Sequence, residues 1–202
     1  MHVNVLRLRV QKGLLESVVD AVIGHMPSTV RNWLESLLPE WTIPTELILK
    51  SQKRNWGDEF AAEKVAYTKL RPLQGVVVPR LFGEVYFEGT VALLMTDIGG
   101  IALTEPGAAM LELSEFQRLL GEALDALCDF GVLHDDLKLD NFHLVGSSIK
   151  VVDFEMTIES GVYPTDEGRR TRIDNTISHL MDAYQSNRDC FCWKSVLSVP
   201  VG

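Results

Sequence analysis

The chain has 202 residues, 46% hydrophobic and 23% charged, which allows one large domain or two small lobes and lies far from the composition of disorder. Lys and Arg total 19 against 28 Asp and Glu, and the formal charge of -9 argues against a phosphate backbone, so no nucleic-acid partner is expected. Cys128, Cys190 and Cys192 fit neither a disulfide framework nor zinc spacing. With no signal-peptide core and no apolar run of membrane-spanning length, an intracellular, cytoplasmic protein without membrane insertion is expected.

Leu14, Leu15, Val18, Val19, Val22, Ile23 and Met26 recur at helical spacing up to Pro27. Trp33, Leu34, Leu37 and Leu38 predict a second helix between a Ser28 or Thr29 cap and Pro39. The apolar run from Glu46 to Lys50 predicts a buried strand. Phe60, Ala61, Val65, Ala66 and Leu70 then predict an amphipathic helix over 58–70, capped by Asp58.

β-branched and aromatic runs predict strands at 76–78, 85–87 and 91–95, the last two joined by a hairpin turn at Glu88-Gly89. Asp97-Ile98-Gly99-Gly100 breaks the pattern and is expected to be a flexible connector between lobes. Ser114 and Gln117 form a capping-box signal for a helix whose apolar positions are Phe116, Leu119, Leu120, Ala123, Leu124 and Leu127, ending at Gly131. A second hairpin is expected over 142–145 and 149–152, and a helix over 174–185 through Ile177, Leu180, Met181 and Tyr184.

One segment is more informative than the rest: His134-Asp135-Asp136-Leu137-Lys138-Leu139-Asp140-Asn141, followed after an apolar strand by Asp153-Phe154-Glu155. Its order and spacing resemble the H-R-D-L-x-x-x-N and D-F-G signatures of protein kinases, with Asp135 in place of the arginine and Glu155 in place of the glycine. The resemblance covers about residues 46–159. It implies an α+β, two-lobed protein-kinase-like fold, with a small antiparallel-sheet N-lobe over 46–97 and an abbreviated, mainly helical C-lobe over 101–202, preceded by the helical N-terminal extension over 1–45 that the periodicity predicts. The stretches around Pro72–Pro79, Gly83-Glu84 and 92–98 are also similar to a group of small fungal kinase-like proteins.

The same resemblance implies ATP and Mg²⁺ as cofactors, and transfer of the γ-phosphoryl group to a hydroxyl on a protein or small-molecule acceptor. Asp136 is then the base that orients the hydroxyl, and Lys138 neutralises charge on the transferred group. Asn141 and Asp153 supply the hard oxygens that Mg²⁺ prefers. Lys50 would grip the phosphates, anchored by Glu63 on the following helix, with Glu59 as the rival one turn earlier. Backbone groups at Asp97 and Ile98 would meet the adenine edge.

Several positions depart from the kinase pattern. No G-x-G-x-x-G precedes Lys50, and Lys53, Arg54 and Gly57 are the nearby candidates to compensate at the phosphates. Asp135 stands where many protein kinases carry the arginine that reads a phosphorylated activation loop, so that switch is expected to be absent. Asp153-Phe154-Glu155 resembles the small-molecule kinases of the aminoglycoside and choline type, and only 47 residues follow Glu155, without an A-P-E triplet. These departures leave a pseudokinase that binds nucleotide or protein as the alternative. A metal-dependent hydrolase built on His134, Asp135 and Asp136 is weakened by the lack of a second His at ligand spacing.

Overall fold

The computed structural model describes residues 4–11, 44–163 and 165–197. The helices expected over 14–26 and 28–39 lie outside the described residues. The described chain is mixed α+β, with antiparallel sheets and three α-helices, and it divides into two compact units: Met1–Ser51 with Phe82–Asp97, and Gln52–Leu81 with Ile98–Gly202. The expected single segment 46–97 is thus shared between the units.

The first unit carries a four-stranded sheet. Strand β1 (Val5–Arg9) pairs antiparallel with β2 (Glu46–Ser51), and β2 with β4 (Thr90–Thr96), while β3 (Leu81–Phe87) lies beyond β4 in the order β1-β2-β4-β3. Strand β1 was not anticipated, although Leu6 and Leu8 alternate with Arg7 and Arg9 at the period of a strand. Its cations find partners: Arg9 reaches Glu46 directly opposite at 3.1 Å, and Arg7 reaches Asp97 at 2.5 Å. The β3–β4 turn forms at Glu88 (φ 49°) and Gly89 (φ 79°), the two positive-φ positions that a tight two-residue hairpin requires. Lys50 is held in the middle of this sheet, in register with Val5 on one side and Leu93 on the other, and is 5% exposed.

The second unit contains α1 (Gly57–Lys69), α2 (Leu113–Asp129) and α3 (Asp166–Leu197). A short sheet orders β5 (Ile101–Ala102), β7 (Phe142–Val145) and β8 (Ser148–Val151), and a separate ribbon pairs β6 (Val132–His134) with β9 (Thr157–Glu159). All six apolar positions expected on α2 are buried. Helix α3 turns Ile173, Ile177, Leu180 and Tyr184 into the core, and the Tyr184 ring stacks on Phe116 of α2 at 4.1 Å and 4°.

Four local expectations are corrected. Asp58 does not cap α1; Trp56 occupies the cap position without a side-chain bond, and Asp58 lies in the first turn, where its charge favours the helix dipole. Val76, Val77 and Val78 do not form a strand, because Gly75 (φ 81°) closes a turn in which all three N–H groups donate to the Leu73 carbonyl. Ser114 opens no capping box, since α2 starts at Leu113 after Glu112. Helix α3 extends well beyond 174–185, started by Thr165, whose Oγ1 accepts the Gly168 N–H at 3.0 Å, and supported by ion pairs from Arg169 to Asp166 and from Arg170 to Asp174.

Gly100 is more than a connector residue. A Cβ added there would stand 2.4 Å from the Leu144 carbonyl oxygen of β7 and 2.6 Å from Val145 Cγ2, on a backbone with φ 77°. At Gly99 (φ 59°) the same atom meets nothing within 4 Å. Gly100→Ala is therefore expected to destabilise the chain by about 1–3 kcal/mol more than Gly99→Ala, because it adds overpacking against backbone to the same conformational strain. Denaturant midpoints of the two variants check this, and equal losses would contradict it. Among the described residues, no helix is long and apolar enough to cross a membrane.

Candidate active site

The loop from His134 to Asn141 is built by its own backbone. Leu137 N–H donates to the Asp135 carbonyl at 3.1 Å, Lys138 N–H to that of Asp136 at 2.8 Å, and Asn141 N–H to that of Lys138 at 3.1 Å. This winding brings three of the expected site residues together. Lys138 Nζ lies 2.8 Å from Asp136 Oδ1 and 3.0 Å from Oδ2, and Asn141 Nδ2 donates to the Asp136 carbonyl at 2.9 Å and to its Oδ2 at 3.1 Å. Burial pushes the Asp136 carboxyl up, but the bonds from Lys138 and Asn141 more than reverse this and hold it below the ordinary aspartate value. Asp136 is an ionised, braced carboxylate at neutral pH. Lys138, with its side chain 64% exposed, can leave it without losing a buried contact.

The Asp153 loop is tied to this one at the backbone, where Val152 N–H donates to the Asn141 carbonyl at 2.9 Å. Asp153 itself adopts a left-handed backbone, φ 62°, uncommon for a residue with a Cβ. Its charge acts on Asp136, His134 and Lys138. Asn141 uses its amide nitrogen on Asp136, so its amide oxygen is a hard donor of the kind Mg²⁺ prefers, as is the Asp153 carboxylate, whose Oδ1 accepts the Glu155 N–H at 3.4 Å.

Aromatic packing fixes both loops. The Phe154 ring meets Tyr67 of α1 edge-on at 5.4 Å and His134 at 5.5 Å, and His134 meets Phe142 at 5.6 Å. All four side chains are buried. His134 Nε2 lies 3.1 Å from the Val152 carbonyl, so this nitrogen carries the proton and donates, while the buried Nδ1 has no hydrogen-bond partner. Burial, only partly opposed by the Val152 and Asp153 backbone, lowers the imidazole's proton affinity and keeps it neutral. Burial first, then the Glu63 and Asp153 charges, push the Tyr67 phenol well above its ordinary value.

Between the two candidate glutamates, Glu63 is the one α1 turns fully inward, 0% exposed, with Oε1 accepting the Phe154 N–H at 3.3 Å; Glu59 is half-buried. Lys50 and Asp97 belong to the first unit and Ile98 to the second. The Asp97 N–H donates to the Glu46 carbonyl at 3.3 Å, at the end of the sheet.

Two ion pairs in this region have no local sequence signal. Lys53, one of the three candidates to compensate for the missing glycine-rich loop, pairs with Glu155 and lies over the Trp56 ring, 4.4 Å from its centroid. Asp135 pairs with Arg172 of α3, 37 residues away. Among the described residues, no three His, Cys, Asp or Glu side chains gather as a metal centre, and the His134 ring packs against Phe142 and Phe154.

In comparisons with known proteins, no family model and no curated protein matches the chain.

Proposed function

We propose that the chain is an ATP-dependent, Mg²⁺-assisted phosphotransferase of protein-kinase-like fold, acting on a hydroxyl of a protein or small-molecule acceptor. The observation that carries this reading is the braced carboxylate of Asp136, contacted by Lys138 and Asn141, in a loop bonded to the one that bears Asp153. Asp136 orients the acceptor hydroxyl and takes its proton late in the transfer, as the hydroxyl oxygen bonds to the γ-phosphorus and the bond to the ADP oxygen breaks. Lys138 exchanges its contact with Asp136 for the charge that develops on the transferred group. Asn141 and Asp153 would hold Mg²⁺, which when bound offsets phosphate charge. The roles of Lys50 at the phosphates, of Glu63 as its anchor, and of Asp97 and Ile98 at the adenine edge rest on the resemblance alone.

ATP-binding titrations of the parent, Asp153→Ala and Lys50→Met, each with and without Mg²⁺, test the assignment. Asp153→Ala is expected to abolish the gain that Mg²⁺ gives the parent, and Lys50→Met to weaken binding in both conditions. An Asp153→Ala protein that keeps the full Mg²⁺ effect removes the metal-ligand role.

The alternative is a pseudokinase that binds nucleotide or partners without transfer. The absent glycine-rich sequence before Lys50 favours it, as does the engagement of Lys53 with Glu155. It predicts binding with no turnover on any acceptor.

A further inference from the structure

Glu155 occupies an unusual position for a carboxylate. It is 7% exposed, two residues beyond Asp153, and its charge is met by Lys53 across 102 residues of sequence. Burying a carboxylate is costly unless cations and hydrogen bonds compensate it, and Lys53 supplies a cation here, so removing Lys53 raises the cost of keeping Glu155 buried. Lys53 is fixed in turn by the Trp56 ring, with its side chain 30% exposed. The two residues that follow Asp153 are therefore held from different directions. The left-handed Asp153 is followed by Phe154, whose N–H is bound by Glu63 and whose ring is enclosed by Tyr67 and His134, and then by Glu155, tethered to Lys53. A left-handed backbone at a non-glycine residue is unfavourable by itself and persists where its surroundings over-determine it.

We infer that Lys53 and Glu155 are a positioning pair that holds the Asp153 turn in its left-handed conformation and thereby sets the aim of the Asp153 carboxylate. The inference rests on the reading of Asp153 as a Mg²⁺ ligand. Neither the Lys53 nor the Glu155 side chain touches metal or nucleotide in this role; they act through the 153–155 backbone, whose Glu155 N–H donates to Asp153 Oδ1 at 3.4 Å. Without Lys53, Glu155 turns towards water, the 153–155 backbone follows, and the metal meets a carboxylate that must be ordered on binding.

The test uses the full chain as parent, Lys53→Met and Lys53→Arg, the last keeping the cation. The first readout is amide hydrogen exchange at Phe154 and Glu155, which needs no ligand. The second is the free Mg²⁺ concentration at which ATP gives its half-maximal thermal shift. Lys53→Met is expected to lose about tenfold or more of the parent's protection at these two amides. It is also expected to need about 10–100 times more Mg²⁺, the usual effect of removing a group that orients a metal ligand. Lys53→Arg should behave as the parent in both. If Lys53→Met lowers the melting temperature yet keeps the parent's exchange and Mg²⁺ requirement, the pair is structural only and the inference is overturned. A parent with no Mg²⁺-dependent shift overturns the metal-ligand reading instead, and exchange then decides by itself whether the pair holds this turn.

Discussion

Asp136→Asn is expected to lower phosphoryl transfer by about two to four orders of magnitude, the usual contribution of a positioned general base. Binding of Mg-ATP should be unimpaired, because in the proposed mechanism Asp136 meets the acceptor and not the nucleotide, and its neutralisation relieves Asp153 of a neighbouring negative charge. The amide retains an oxygen that can accept from Asn141 and Lys138, so the loop keeps its winding. Transfer or ATP-hydrolysis rates set beside a binding titration separate the two effects. Loss of binding in parallel with rate would indicate that the carboxylate is part of the nucleotide site, and a parent with no turnover to lose would move the pseudokinase reading ahead.

Phe154→Ala is expected to destabilise the chain by about 3–5 kcal/mol, the range for deleting a fully buried phenylalanine. The ring touches Tyr67 and His134, and His134 passes the contact to Phe142, so one cavity loosens α1, the Asp136 loop and the β7–β8 hairpin together. Phe154→Leu, which preserves much of the volume, should cost less than half as much. Denaturant unfolding gives both values, and a Phe154→Ala loss below about 1 kcal/mol would mean that the ring chain does not organise the site.

Parts of this molecule can be read from local sequence because their signals are local. The α2 face repeats at helical spacing, the Glu88-Gly89 turn is set by two adjacent residues, and the Asp136 loop is wound by hydrogen bonds spanning two to five positions. The valines at 76–78 mislead for the same reason. Their β propensity is real, but one glycine before them directs three N–H groups to a single carbonyl. The N-terminal half of α3 has few apolar residues to announce it and is supported by charge pairs along the helix. What local reading misses altogether is long-range pairing. The three-residue strands β6 and β9, Asp135 with Arg172, and Lys53 with Glu155 each join positions with no shared local pattern. The residue types of the candidate site can therefore be read from the sequence, while the pairing of Asp135 with Arg172 and of Lys53 with Glu155 cannot.

Thermal unfolding of the full chain, titrated with ATP in the presence and absence of Mg²⁺, tests the phosphotransferase account most directly. A ligand held at about 100 times its Kd adds about 2.7 kcal/mol to the folded state. For a chain of this size that corresponds to a rise of about 5–10 °C in Tm. The account predicts such a rise with Mg-ATP, a smaller one with ATP alone, and none attributable to Mg²⁺ in Asp153→Ala. An unchanged Tm for the parent at millimolar Mg-ATP would contradict it.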